Sequence, residues 1–219
     1  MNICLIPARS GSKRIKNKNI INFFGLPLIA YSIKNALKSN LFDEIIVSTD
    51  SKKIAKIANK YGALTPFIRP KKYSTDKVID KDVIKHFLKI YKKKIDFLCY
   101  LYPATPLLKT KTLKNCYKKI VKTNYHKLFT VCRHSSDLSK VIIKNSKNEI
   151  KFKKNTKQNK SSKNSKHLYY DAGQCCWYNF KKNCINRTLG FEIPRTEGID
   201  INTTQDINLS KLLYKSLKS

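Results

Sequence analysis

The chain has 219 residues, and 46 Lys and Arg against 14 Asp and Glu give it a formal net charge of +32. Hydrophobic residues make up 41% of the chain, which is too large a share for a disordered basic tail, and the length suits one domain. No apolar run reaches the roughly 18 residues that a membrane span needs, and the apolar N-terminus lacks the basic start of a signal peptide. We therefore expect a cytoplasmic protein without a membrane partner.

The positive charge has two readings. A pI near 10.0 is typical of a nucleic-acid-binding protein. However, 40 of the 46 basic residues are Lys and only six are Arg, the side chain better suited to bidentate phosphate and base contacts. The lysines are spread along the chain beside many Asn and Ile, a composition that an AT-rich genome produces. We favour a solvated surface without a nucleic-acid partner, and keep a basic, non-enzymatic nucleic-acid-binding protein as the alternative.

Predicted strands and helices alternate through the first part of the chain. Short apolar runs predict strands at 2–6, 44–48, 96–102 and 128–132. Apolar residues at helical spacing predict helices at 28–37, 54–61, 83–91 and 110–122. This alternation predicts an α/β fold with a three-layer, open, mostly parallel sheet flanked by helices. Ligands of such sheets bind beyond the carboxyl ends of the strands, so the loop after the first strand is the first place to look.

The later part of the chain departs from this alternation. Residues 144–167 hold nine Lys and one Glu, which predicts an insertion or a dimerisation arm over 138–168, within a single domain spanning 1–219. The aromatic-rich run from Leu168 to Phe180 predicts a pair of strands. A last helix is expected to begin at a Thr203 or Thr204 cap.

The strongest chemical signal lies in the loop after the first strand, residues 7–19, which we call the basic loop. The chain reads IPARSGSKRI from residue 6 to 15, followed by Lys18 and Asn19. Its small residues let backbone N–H groups approach a ligand closely, and four of its five cations belong to this motif: Arg9, Lys13, Arg14 and Lys18. Clustered cations and backbone donors at a strand end suit a polyphosphate. The Walker pattern G-x-x-x-x-G-K-[ST] is absent from the chain.

This motif resembles the N-terminal signature of the CMP-N-acylneuraminate synthetase family, the sugar-acid cytidylyltransferases. Three further stretches are similar to that family: FFGLPLIAYSI at 23–33, VSTDS at 47–51 and PFIRP at 66–70. The stretch from Asp171 to Gln174, with Trp177, resembles the D-A-G-Q-x-x-W run of the pseudaminic acid cytidylyltransferases in the family. The resemblance covers residues 1–206 except the Lys-rich insertion.

The resemblance implies a fold and a reaction. The fold would be the Rossmann-like one of the nucleotide-diphospho-sugar transferases. The reaction would join CTP and a nine-carbon sugar acid to give a CMP-sugar and pyrophosphate, for surface-glycan or flagellin glycosylation. The sugar acid would be pseudaminic acid, with N-acetylneuraminate, legionaminate or KDO as alternatives. A homodimer formed through the arm would also fit the family.

By matching position, the resemblance implies roles for particular residues. The residues that would hold CTP are Ala8, Arg9, Ser12, Lys13, Lys18, Asn19 and Arg69. Of these, Arg9 and Lys13 would act in catalysis by offsetting the charge that grows on the leaving pyrophosphate. Asp171 and Gln174 would bind the sugar.

The resemblance also implies Mg²⁺ as the cofactor. The family's I-D-I-D-T ending supplies two carboxylates, and this chain has Asp200 at the first position but Asn202 at the second. The metal would therefore be held by Asp200, a third catalytic residue, with weaker help from the neutral amide oxygen of Asn202. Asp80 falls where some relatives have a small hydroxyl residue near the nucleotide, and an acid there would repel phosphates unless it met a cation or the metal.

Overall fold

The computed structural model describes residues 1–134 and 168–217, together with the backbone of 142–144 and 150–152. The described strands are β1 (Asn2–Pro7), β2 (Asn22–Phe23), β3 (Leu26–Pro27), β4 (Glu44–Ser48), β5 (Phe97–Leu101), β6 (Tyr125–Arg133), β7 (Ile142–Lys144), β8 (Ile150–Phe152), β9 (Tyr169–Asn179) and β10 (Ile185–Glu192). The described helices are α1 (Leu28–Ser39), α2 (Lys52–Lys60), α3 (Asp80–Ile90), α4 (Thr110–Val121) and α5 (Thr204–Ser216). No helix in this part of the chain combines the length and apolar character needed to cross a membrane.

Within the described residues, six strands form the main sheet in the order β10-β6-β9-β5-β1-β4. β1 pairs in parallel with both β4 and β5, and β10 pairs in parallel with β6. β9 runs antiparallel between β5 and β6. The predicted open, mostly parallel α/β sheet is therefore confirmed, with one reversed strand near its middle.

Helices cover both faces of the sheet because the strands are apolar on both sides. Cys4 and Ile6 of β1 pack in the core cluster that contains the inner faces of α1, α2 and α4. Ile3 and Leu5, which point to the opposite face, pack in the cluster of α3. This is the pattern expected of strands buried between two helical layers. The three layers leave the carboxyl ends of β1 and β5 free to carry a site.

Several strands differ from the prediction. The run from Leu168 to Phe180 forms one long strand, β9, and not a pair of strands. Its neighbour in the chain, β10, was not predicted, because it lies at the sheet edge and most of its residues are exposed. The short β2–β3 pair was also missed. It closes on a turn in which the Gly25 N–H donates to Asn22 Oδ1 at 2.8 Å.

The predicted insertion is described only in part. β7 and β8 pair antiparallel, with Ile142 opposite Phe152. Apart from these two strands, 135–167 lies outside the described residues, so the insertion and the dimerisation arm stay predictions. The final helix is confirmed, since Thr203 Oγ1 accepts from the Asp206 N–H at 3.3 Å and caps α5.

Gly198, in the segment between β10 and α5, lies against two strands of the sheet. A Cβ added at Gly198 would lie 2.3 Å from Cys132 Sγ and 3.3 Å from the Ala172 Cβ. Cys132 is fully buried, so its thiol has little room to move. We expect Gly198→Ala to lower the free energy of unfolding by about 1–3 kcal/mol, measured by urea denaturation, because overpacking strains the core.

Gly11→Ala is the matched control, because a Cβ there meets nothing within 4 Å. Its free energy of unfolding should stay within about 0.5 kcal/mol of the parent protein. Equal stabilities for the two variants would show that the turn at Gly198 is not packed as described.

Candidate functional site

A pocket of about 210 Å³ opens at the carboxyl ends of β1 and β5, which is where the fold class places ligands. We call it the basic pocket. The basic loop and the segment after Arg69 form its walls. Its lining includes seven residues used below: Arg9, Ser12, Lys13, Arg14, Lys18, Asn19 and Arg69. The structure therefore brings together six of the seven residues that the resemblance assigned to CTP.

The basic loop is held in place from both ends. The Ala8 N–H donates to the Ser48 carbonyl at 2.9 Å, which extends the pairing of β1 and β4. The backbone N–H and the hydroxyl of Ser10 both donate to the Asp50 carboxylate at 2.8 Å. At the far end, Asn19 Nδ2 donates to the Arg9 carbonyl at 2.9 Å. Ala8, the seventh residue assigned to CTP, is thus buried and its N–H is already used.

Two of the loop's cations meet one carboxylate. Arg9 Nη1 lies 2.5 Å from Asp76 Oδ1, and Lys13 Nζ lies 2.6 Å from Asp76 Oδ2. These two contacts hold the pKa of the Asp76 carboxyl below its usual value. Asp76 belongs to a segment that also supplies Ser74, whose Oγ accepts from Arg69 Nε at 3.0 Å. The carboxylate therefore occupies positions on Arg9 and Lys13 that a phosphate oxygen would take.

The other two cations contact the 200–202 segment, which arrives from the far end of the chain. Lys18 Nζ donates to the Ile201 carbonyl at 2.6 Å, and Arg14 Nη2 donates to Asn202 Oδ1 at 2.8 Å. Asn202 Nδ2 in turn donates to Asp200 Oδ2 at 2.5 Å. Burial lowers the pKa of the Lys18 amine, and the Asp200 charge opposes that shift. The predicted metal residues and the basic loop therefore form one connected group.

Among the described residues, two polar atoms of the pocket lining have no hydrogen-bond partner. Arg69 is only 3% exposed, and its Nη1 is unpaired within the described residues. Burial lowers the pKa of this guanidinium. The Oδ1 atom of buried Asn19 is likewise unpaired there. Because buried donors and acceptors are nearly always satisfied, both atoms indicate a place where a ligand or water binds.

The two predicted sugar-binding residues lie on β9 and outside the lining of the basic pocket. Asp171 is exposed, and its Oδ1 accepts from the Gly173 N–H at 2.9 Å. Gln174 is buried, and its Nε2 donates to the carbonyls of Ala172 at 2.8 Å and Ile199 at 3.3 Å. Their role toward a sugar stays a prediction.

Gly173 brings this part of β9 close to Asp200. It has a φ of +59°, and a Cβ there would lie 3.4 Å from Asp200 Cγ. A larger residue would be strained in this backbone conformation and would press on the carboxylate. The D-A-G-Q stretch thus borders the predicted metal residue.

Sequence reasoning missed the residues that line the pocket opposite the basic loop. They come from the segment between Arg69 and α3 and from the end of β5 with the residue after it: Tyr73, Ser74, Thr75, Val78, Tyr100 and Tyr102. Asp76, which pairs with Arg9 and Lys13, was missed as well. The sequence offered one signal for Asp76. Acids are scarce in this chain, with 14 against 46 basic residues, so each acid is a candidate for a specific role.

A family model described as cytidylyltransferase matches residues 3–216. The pseudaminic acid cytidylyltransferase of Campylobacter jejuni subsp. jejuni serotype O:23/36 (strain 81-176) is 36% identical over 224 residues, covering 98% of this chain and 96% of that relative. The chain belongs to the cytidylyltransferase family. The matched range contains every residue assigned to the site above.

Two further similarities agree with this family. The N-acylneuraminate cytidylyltransferase of Escherichia coli O18:K1:H7 (strain RS218 / NMEC) is 44% identical over 104 residues, covering 48% of this chain and 24% of that relative. The solved structure of a CMP:2-keto-3-deoxy-manno-octonic acid synthetase complexed with CTP has a TM-score of 0.71 at 14% identity and covers 99% of both chains. At 14% identity, the likeness to this solved structure bears on the fold alone, and it extends over nearly the whole chain.

Asp76 pairs with two cations that are predicted to bind the nucleotide, Arg9 and Lys13. We expect Asp76→Asn to lower the KM for CTP severalfold, because Arg9 and Lys13 no longer have to exchange a carboxylate for a phosphate. Steady-state kinetics with varied CTP measure the effect. Asp82→Asn, one turn into α3 and outside the pocket lining, is the control and should leave KM unchanged. A KM that rises for Asp76→Asn would mean that Asp76 helps to hold the nucleotide.

Proposed function

We propose that this cytidylyltransferase activates a nonulosonic acid, specifically pseudaminic acid, with CTP to give the CMP-sugar and pyrophosphate. The observation that carries the proposal is the convergence of four cations of the basic loop on one pocket beside Asp200. Support for the sugar comes from the near-full-length relative named a pseudaminic acid cytidylyltransferase and from the Asp171–Trp177 stretch. The product would serve surface-glycan or flagellin glycosylation, and the reaction would take place in the cytoplasm.

The proposed reaction requires mainly that the protein position the two substrates and neutralise the phosphate charge. The anomeric hydroxyl of the sugar acid attacks the α-phosphorus of CTP in line, and pyrophosphate leaves from the opposite side. Arg9 and Lys13 bind the departing phosphates and offset the charge that develops on them. Ser12 and Asn19 line the same pocket, and the unpaired Asn19 Oδ1 is available as an acceptor. Lys18 and Arg14 keep the 200–202 segment against the loop.

The residues present fit Mg²⁺ through a single carboxylate. Asp200 is exposed, and its carboxylate contacts the uncharged amide of Asn202. Asp206 is committed to capping α5, since it accepts from the backbone N–H groups of Asn202 and Thr203. Mg²⁺ is commonly bound through one or two carboxylates together with substrate phosphates and waters. We propose that Asp200 is the anionic protein ligand and that Asn202, whose Oδ1 faces Arg14, helps only weakly. When bound, the ion would neutralise phosphate charge.

The alternatives differ in their substrate or their class. N-acetylneuraminate, legionaminate and KDO carry the same reacting groups as pseudaminic acid, so only the sugar pocket distinguishes them. A nucleic-acid-binding protein would be expected to place its arginines on an exposed surface. Three of the six Arg residues instead line the basic pocket: Arg9, Arg14 and Arg69. This placement favours the enzyme. A homodimer through the 138–168 arm would be consistent with the proposal.

The proposal is tested by pyrophosphate release from CTP and Mg²⁺ with a panel of pseudaminic acid, N-acetylneuraminic acid, legionaminic acid and KDO. We expect turnover with pseudaminic acid at the highest kcat/KM. A preference for another acid would replace the substrate and leave the reaction in place. No turnover with any of them, from protein shown to bind CTP, would contradict the proposed reaction.

A variant of the basic loop tests the assignment of the phosphate site. Lys13 is 80% exposed and touches only Asp76 by an ion pair, so Lys13→Ala should fold normally. We expect its kcat to fall by about two orders of magnitude or more, because a cation on the leaving phosphates is lost. Lys16→Ala removes an equal charge from the same loop outside the pocket lining. It should keep the parent rate, and a similar loss in both variants would indicate a general charge effect.

A further inference from the structure

The basic pocket has two ends of opposite chemical character. One end carries the four cations of the basic loop. The other carries mainly aromatic and apolar side chains: Tyr73, Val78, Val83, Tyr100 and Tyr102. The buried guanidinium of Arg69 lies close enough to Tyr100 to interact with it electrostatically. A nucleoside triphosphate has the same polarity, with a polyanionic tail and an uncharged aromatic base. Electrostatics therefore orient the ligand with its phosphates on the basic loop and its base among the tyrosines.

The aromatic end holds the one acid among the pocket's lining residues, Asp80. Tyr100 donates its hydroxyl to Asp80 Oδ1 at 2.8 Å, and Tyr102 donates its hydroxyl to Asp80 Oδ2. Asp80 is also the first residue of α3, where the helix dipole favours a negative charge. The carboxylate is thus held in one orientation at the pocket wall without any ion pair among the described residues.

The two tyrosines keep Asp80 an acceptor. Burial, and then the Asp80 charge, raise the pKa of Tyr100 and of Tyr102, so both hydroxyls stay protonated and keep donating. An ionised carboxylate offers about four acceptor positions, and the tyrosines occupy one on each oxygen. The remaining positions can accept from a donor on a ligand. They repel a phosphate or a carbonyl oxygen.

The pyrimidine bases differ in the group that such an acceptor reads. Cytosine carries a 4-amino group, which donates hydrogen bonds, whereas uracil carries a carbonyl oxygen at the same position, which accepts them. Asp and Glu side chains accept from the cytosine amino group in nucleic-acid recognition for the same reason. Ribose hydroxyls are donors too, but every ribonucleotide carries them, so a ribose contact would not distinguish the bases.

We propose that Asp80, held by Tyr100 and Tyr102, accepts a hydrogen bond from the 4-amino group of the cytosine and so selects CTP against UTP. The inference rests on the proposed function for the identity of the nucleotide. An acid beside phosphates would be unfavourable. In this proposal Asp80 lies at the base and away from the triphosphate, so its charge is not opposed to the phosphates.

The test is equilibrium binding of nucleotides to the full chain by calorimetry, without the sugar acid. The ligands are CTP, UTP and the triphosphate of pyrimidin-2-one riboside, which lacks the 4-amino group. In the parent protein we expect both analogues to bind at least about tenfold more weakly than CTP, because a hydrogen bond to a charged group is lost. Equal binding of CTP and the pyrimidin-2-one analogue would overturn the proposal without any variant.

Asp80→Asn assigns the effect to this residue. Its amide can turn an N–H toward the uracil carbonyl, so the preference for CTP over UTP should fall about tenfold or more. Asp82→Asn removes the same charge two residues further along α3, outside the pocket lining, and should keep the parent preference. Losses of CTP and UTP affinity by the same factor in Asp80→Asn would indicate a ribose or folding role and overturn the proposal.

The two proposals fail in different ways. If neither nucleotide binds the parent protein, the proposed function itself fails. If CTP binds but discrimination does not depend on Asp80, only the base-reading role fails. Thermal melting of the variants, with and without CTP, separates loss of folding from loss of binding.

Discussion

The site depends on one electrostatic constraint, which is that four cations of a single loop lie close together at a strand end. Like charges at this spacing repel, so the loop is stable only with compensating groups around it. Asp76 accepts from Arg9 and Lys13, the Ile201 carbonyl accepts from Lys18, and the Asn202 amide oxygen accepts from Arg14. These acceptors come from two distant parts of the chain. The cluster therefore joins the segment after Arg69 and the segment before α5 around the loop.

The same constraint explains how binding and chemistry are linked. In the proposed reaction a triphosphate would satisfy the cations better than a single carboxylate does, and its binding would release Asp76 from Arg9 and Lys13. The contacts of Lys18 and Arg14 to residues 201 and 202 keep Asp200 at the pocket edge, where a metal ion and the α-phosphate would meet. The aromatic wall with Asp80 completes the pocket at the end away from the charges. The pocket would therefore bind a nucleotide in one orientation, with its phosphates at the cations and its base at the hydrogen-bonding groups of the aromatic wall.

Sequence patterns predicted the sheet well because its strands are buried on both faces and its helices are strongly amphipathic. They failed at β10, whose exposed polar residues at the sheet edge carry no burial pattern. For the site, the basic loop was legible because its cations are contiguous and follow a strand. Asp76 and the pair Tyr100 and Tyr102 were not, because their relation to the loop arises from three-dimensional proximity. The assignment of Gln174 to the sugar stays a prediction, since its Nε2 donates to nearby backbone carbonyls while its buried Oε1 has no partner among the described residues.

The large positive charge of the chain carries less functional information than its first impression suggests. Forty of the 46 basic residues are lysines spread along the chain, whereas the cations of the proposed site are ones met by a specific acceptor, as Arg9 and Lys13 are by Asp76. The most direct test of this account is a crystal structure of the protein with CTP. We expect triphosphate oxygens on Arg9 and Lys13, Asp76 displaced from both, and the cytosine between the tyrosines and Asp80. A structure in which Asp76 keeps both ion pairs while CTP occupies another surface would contradict the account.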